Sequence, residues 1–202
     1  MKTVVNISEK YKSFLWLPPK TASTLLLNIF FEYFDFEHYE VDKNNILFKS
    51  NFKRQNHHFQ NLFQGHENYK LICSVRNPFN KIISLFMQNK KDRSPEKFLQ
   101  YFDNLISTDC SDNLLIKDLM KFQRVPDYFI RVENLYEDLI KIPFVFDSDV
   151  NKSGLLSSVC ETIVNSSNYT IDMNEYFTSD MKDFVFTTYK DYFDKFNYKI
   201  DF

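Results

Sequence analysis

Apolar and polar positions along this chain change their period from segment to segment, and the changes mark its elements. Residues 13–18, SFLWLP, form a continuous short apolar run, the pattern of a buried strand. Residues 24–34, TLLLNIFFEYF, are apolar nearly all round and predict a helix packed inside a domain, with Ser23 or Thr24 offering an N-cap oxygen. HYEVDKNNILFKS predicts two short strands around an Asp-Lys-Asn-Asn turn, and the polar stretch 52–68 predicts helix and loop. KLICSVR, 70–76, is a second continuous apolar run, as a central parallel strand requires.

In NPFNKIISLFMQNKK the period becomes helical. Asn77 suits the N-cap and Pro78 the first turn, with Phe79, Ile82, Ile83 and Phe86 on one face and Asn77, Asn80, Lys81 and Ser84 on the other. Residues 89–125 predict two amphipathic helices, and DYFIRV, 127–132, a third strand followed by ENLYEDLIKI. A loop is expected at 147–154. A closing helix from Ser179 carries the stripe Met181, Phe184, Val185, Tyr189, Tyr192 and Phe196. Strands alternating with helices imply one α/β domain over residues 1–202, a central parallel sheet flanked by helices. Ligands of such sheets bind where strands end and helices begin. The turn at 18–24 and the Arg76–Asn77 junction both fall at such ends, which suggests a ligand with two separate anionic groups.

Composition narrows the partners. The 202 residues carry a net charge of −2, so no global basic field points to nucleic acid, and any anion site must be local. Three separated cysteines and four histidines show neither disulfide-framework nor metal-ligand spacing, which fits a reducing compartment. No apolar run has the length of a membrane span and MKTVVNISEKYK lacks a signal-peptide core, so a cytoplasmic protein is expected. The chain has only two glycines, so turns needing positive φ are expected to lean on Asn and Asp.

PKTAST after an apolar strand resembles the 5′-phosphosulfate loop of sulfotransferases that use 3′-phosphoadenosine 5′-phosphosulfate (PAPS), and is most similar to the glycan branch typified by heparan-sulfate 2-O-sulfotransferases. VRNPFNKIISLF resembles that family's 3′-phosphate segment, RxPxxRxxSxY, with Lys81 in place of an arginine and Phe86 in place of a tyrosine. FIRVENLYEDL, DVNKSG and VFTTYKDYFDKFNY resemble later landmarks, so the similarity runs from about residue 14 to the C-terminus.

The resemblance implies a P-loop-NTPase-like sulfotransferase fold, PAPS as co-substrate, no metal, and a hydroxyl-bearing acceptor, expected to be a carbohydrate. It assigns Lys20 to the leaving phosphate oxygen and Thr21, Ala22, Ser23 and Thr24 to the phosphosulfate cradle. Arg76, whose fork suits a phosphate, and Ser84 are assigned to the 3′-phosphate. The acceptor's general base is expected among His57, His58, His66 and Glu67; the resembling enzymes carry a histidine about twenty residues before the 3′-phosphate strand, which by resemblance favours His58, eighteen residues before Arg76, with His57 next to it. His38 falls on a strand and reads as structural.

Two rival functions differ in kind. A kinase or ATPase needs a GxxxxGK[ST] loop, which Gly65 and Gly154 cannot supply. A non-catalytic binder of a glycan or of the nucleotide, on a degenerate sulfotransferase fold, is separated from an enzyme by nucleotide titration beside a sulfate-transfer assay.

Overall fold

The computed structural model describes residues 3–41, 47–49, 65–89, 92–107, 125–164 and 171–199. Its strands are β1 (Thr3–Ser8), β2 (Ser13–Trp16), β3 (Glu37–Val41), β4 (Leu47–Lys49), β5 (Lys70–Val75) and β6 (Tyr128–Arg131). Its helices are α1 (Ser23–Tyr33), α2 (Pro78–Asn89), α3 (Pro95–Ser107), α4 (Leu135–Leu139), α5 (Pro143–Phe146), α6 (Asp149–Lys152), α7 (Leu155–Val164), α8 (Met173–Tyr176), α9 (Ser179–Thr188) and α10 (Lys190–Phe196). The chain divides into two compact units, Met1–Val75 with Phe122–Ser166, and Arg76–Lys121 with Ser167–Phe202.

The first unit is an α/β layer built on one sheet of order β4-β3-β1-β2-β5-β6. The sheet is mixed, which corrects the expected central parallel sheet. β2, β5 and β6 run parallel, but β1 pairs antiparallel with both β2 and β3, and β3 with β4. The strand that sequence periodicity does not reveal is β1. Its Asn6 and Ser8 are polar yet 3% and 0% exposed, so TVVNIS never shows the apolar run of a central strand.

One face of the sheet carries Leu15, Ile72 and Ile130 from the three parallel strands. Leu26, Ile29 and Phe30 of α1, Leu135 and Leu139 of α4, and Leu156 and Cys160 of α7 pack with them into one core. Each fully buried aliphatic or aromatic side chain contributes about 1.5–3 kcal/mol through removal from water. Thr24, Asn28 and Glu32 of α1 point to solvent, so this helix, apolar as it looks, keeps a polar stripe. Asp35, at φ 54°, terminates it, and the Phe36 N–H donates back to the Phe30 carbonyl at 3.3 Å.

At β6 an ion-pair cluster around the buried Asp138 ties strand to helix. Asp138 of α4, 3% exposed, accepts from the Arg131 backbone N–H (2.9 Å), its Nε (2.7 Å), its Nη2 (2.9 Å) and Lys141 Nζ (2.5 Å). Burial pushes the Asp138 pKa up, but the hydrogen bonds from Arg131 and Lys141 outweigh it and hold it below the ordinary carboxylate value. A folded-state pKa below the unfolded one stabilises above the unfolded value, about 3.9, and that contribution fades as pH falls through the folded value. Asp138→Asn is therefore expected to cost roughly 2–4 kcal/mol at neutral pH. In urea melts the gap between wild type and variant should close below about pH 4; a gap independent of pH would contradict the ionised role.

The second unit is helical and rich in aromatic contacts. Asn77 caps α2, accepting from the Phe79 N–H at 3.0 Å, as its sequence position predicts. Phe79 and Phe98 both pack edge-on against Phe177, at 5.2 and 4.8 Å between centroids, and Phe86 meets Phe98 at 5.2 Å. Lys81, expected on the polar face of α2, is only 3% exposed, so that face is not simply a solvated one. The C-terminal stripe is buried at Met181, Val185, Tyr189, Tyr192 and Phe196 but not at Phe184, and the helix divides at Tyr189 into α9 and α10. One further local expectation fails. The predicted loop at 147–154 contains α6, capped by Ser148, whose Oγ accepts from the Asn151 N–H at 3.2 Å. The second helix expected within 89–125 lies outside the described residues, as does the turn between β3 and β4.

Candidate anion-binding turn

The turn from β2 into α1 departs from ordinary backbone geometry. Lys20 and Ala22 both take left-handed conformations, at φ 64° and 54°, and Thr21 between them does not. Positive φ in the described non-glycine residues falls also at Lys12, Asp35 and Asn197. Asp35 and Asn197 follow the expected use of Asp and Asn, whereas Lys20 and Ala22 do not. Each costs roughly 1–2 kcal/mol relative to right-handed backbone. Such strain persists only where the surroundings over-determine it, and it clusters at functional sites. Left-handed residues in a tight turn can bring successive backbone N–H groups toward one point, a concavity suited to an anion.

Helix α1 starts immediately after this alternation. Its N-cap position is Ala22, which has no capping side chain, although the Ala22 carbonyl already accepts from the Leu26 N–H at 3.0 Å. The expected cap from Ser23 or Thr24 is thus corrected. Ser23 is the first helical residue, and a hydroxyl inside the first turn cannot reach forward as an N-cap oxygen does. Elsewhere Asn77, Ser148, Asp172 and Thr178 cap their helices with side chains. At α1 the first N–H groups and the positive end of the helix dipole face the turn without a capping side chain.

Two buried hydroxyls hold the turn from beneath. Thr21 Oγ1 lies 2.6 Å from the Pro18 carbonyl oxygen and 2.5 Å from Ser74 Oγ, with Thr21 1% and Ser74 0% exposed. A carbonyl only accepts, so the one Thr21 hydroxyl proton goes to Pro18 and Ser74 donates to Thr21. The Thr21 hydroxyl therefore faces the scaffold, and what this residue offers an anion is its backbone N–H. Lys20 is half-buried, Ser23 buried and Thr24 exposed.

Pairing of Trp16 with Cys73 and of Val75 with Arg131 places the ends of β2, β5 and β6 on one edge of the sheet, where the turn lies. Arg76 follows Val75 directly, and Ser84 lies on α2, partly exposed, one stripe with Asn77 and Lys81. His57 and His58 lie outside the described residues.

His66 and Glu67 stand at the opposite edge of the sheet, where β5 begins. The Tyr69 N–H donates to the His66 carbonyl at 3.0 Å just before β5 begins, and His66 Nε2 lies 3.4 Å from Glu9 Oε1. Glu9 also accepts from Tyr69 OH and from Lys12 Nζ (3.2 Å), and these contacts hold its pKa below the ordinary value despite the opposing effect of burial. Glu67 accepts from the Gly65 N–H at 2.9 Å, which lowers its pKa and its basicity. The length of β5, about 3.3 Å per residue, separates this cluster from the turn. His38, on β3 and 8% exposed, packs its ring 4.4 Å from that of Phe31.

The cysteines offer no alternative nucleophile among the described residues. Cys73 and Cys160 are buried, and burial pushes the Cys160 thiol up to about 11. No helix among the described residues is long and apolar enough to cross a membrane. In comparisons with known proteins, no family model, curated protein or solved structure matches this chain.

Proposed function

We propose that the protein is a PAPS-dependent sulfotransferase acting on a hydroxyl of a carbohydrate acceptor. The observation that carries this reading is the left-handed pair Lys20 and Ala22 leading into the uncapped start of α1. A turn with this geometry suits a terminal anionic group gripped by backbone N–H groups, and Lys20 adds a positive charge inside it. The absence of glycine is consistent with the reading, because two L-residues adopt the conformation that glycine supplies in other phosphate loops. Thr21, Ala22, Ser23 and Thr24 are assigned to the phosphosulfate through this backbone. Arg76 and Ser84 are assigned to the 3′-phosphate on the sequence resemblance, and His58, or its neighbour His57, to the acceptor proton.

PAPS supplies an activated sulfuryl group, whose departure leaves negative charge on a phosphate oxygen. Lys20 is assigned to that charge, and the turn's N–H groups to the oxygens that stay anionic throughout. No metal role is assigned, so chelators should leave the rate unchanged. Transfer of labelled sulfate from PAPS across a panel of carbohydrate acceptors tests the function. Binding of 3′-phosphoadenosine 5′-phosphate without any transfer would favour the non-catalytic binder.

The assignment of Arg76 and Ser84 predicts a preference within the nucleotides. 3′-Phosphoadenosine 5′-phosphate should bind at least about tenfold more tightly than AMP, since each charge-assisted hydrogen bond contributes about 1.5–3 kcal/mol. Arg76→Ala should abolish that preference. Equal thermal stabilisation of the wild type by the two nucleotides would remove the basis for the 3′-phosphate assignment.

A further inference from the structure

We infer that Ser74, on the buried side of β5, is a positioning residue that holds the anion-binding turn in its left-handed form through Thr21. The inference rests on the reading of that turn as the phosphosulfate site, and it concerns what keeps the turn organised before any ligand arrives. Ser74 is the one hydroxyl in the otherwise apolar run LICSV, and it is wholly buried. A buried hydroxyl without a hydrogen bond is costly, so its position needs a partner, and that partner is Thr21 Oγ1 at 2.5 Å.

Thr21 sits between the two left-handed residues and is fixed from both sides. It donates to Pro18 within the turn and accepts from Ser74 on the neighbouring strand, 53 positions along the chain. The bond to Pro18 is local and travels with the turn. The bond from Ser74 anchors the turn to the neighbouring strand. Ser74 pairs with Ile130 on β6, and its neighbour Cys73 pairs with Trp16, so it stands on strand backbone held on both sides. Without the Ser74 hydroxyl, Lys20 and Ala22 lose the tether that opposes their relaxation to right-handed backbone. The fraction of molecules with a competent turn then falls, and apparent affinity falls in proportion.

The test uses the full chain, with Ser74→Ala and Thr21→Val as variants that each remove one hydroxyl and Thr21→Ser as the variant that keeps it. Amide hydrogen exchange is read first, without ligand. Exchange over Lys20–Thr24 should be about tenfold faster in Ser74→Ala and Thr21→Val, with Leu26–Phe30 in the body of α1 unchanged. The dissociation constant for 3′-phosphoadenosine 5′-phosphate should rise about tenfold in both. The double variant should bind no more weakly than the weaker single, because both remove the same link. Thr21→Ser, which keeps the hydroxyl, should exchange over Lys20–Thr24 at the wild-type rate. Unchanged exchange in Ser74→Ala and in Thr21→Val would overturn the role of Ser74 whether or not the nucleotide binds. A wild type that fails to bind the nucleotide, with faster exchange in the variants, would overturn the phosphosulfate reading and leave the tether standing.

Discussion

Lys20→Ala is expected to lower turnover by about 10²–10³, the usual consequence of deleting one group aimed at transition-state charge. The dissociation constant for 3′-phosphoadenosine 5′-phosphate should change by much less. The distinction follows from what the lysine is assigned to do. Charge on the leaving phosphate oxygen grows only as the sulfuryl group departs, so an ammonium directed at it contributes to the rate more than to ground-state binding. Backbone geometry gives this prediction an internal control. Lys20 occupies φ 64°, so replacing it could in principle act by altering the turn. Alanine carries the same Cβ penalty there and removes only the charged arm. Lys20→Gly removes the arm and relieves the backbone strain. If the side chain matters, both variants lose turnover alike. Recovery of activity in Lys20→Gly alone would assign the residue's importance to its backbone. Near-normal turnover in Lys20→Ala at saturating PAPS would remove Lys20 from the chemistry.

The parts of the fold visible in the sequence are those whose burial is uniform. β2 and β5 are covered on both faces, so SFLW and LICSV read as apolar runs, and α2 shows both its cap, Asn77, and its apolar face in NPFNKIISLF. What escaped notice depends on partners distant in the chain. The antiparallel half of the sheet hinges on β1, whose buried Asn6 looks like a surface residue until its Nδ2 is seen donating to the Leu15 carbonyl at 3.3 Å. The candidate turn was located by its lysine and hydroxyls, but its physical character was not legible there. Alanine and lysine have no sequence signature for left-handed backbone, and the hydroxyl cap expected at Ser23 or Thr24 is absent, because the N-cap is Ala22. The one available signal was Ser74, a polar residue in an apolar strand, whose burial demands a hydroxyl or carbonyl opposite it.

His58→Ala is expected to lower turnover by about 10²–10⁴, the range for loss of a general base, with nucleotide affinity preserved. The resemblance favours His58, since the similar enzymes carry a histidine about twenty residues before the 3′-phosphate strand and His58 precedes Arg76 by eighteen. His66 and Glu67 sit where β5 begins, bound up with Glu9 and the Gly65 N–H, whereas the turn lies where β2 and β5 end. His38 is buried in β3 against Phe31. His57 and His58 lie outside the described residues. A proton-accepting imidazole must be neutral, so the wild-type rate should rise with pH through the histidine range, about 6.5, and then level off. Below that range the base is protonated and cannot accept the acceptor's hydroxyl proton. In His58→Ala this rising limb should vanish, because the group that titrates has gone, and His57→Ala should retain it. The opposite assignment of the limb would move the role to His57. Full activity in both variants would show that the hydroxyl is deprotonated by a group other than histidine, since the remaining two imidazoles stand away from the turn.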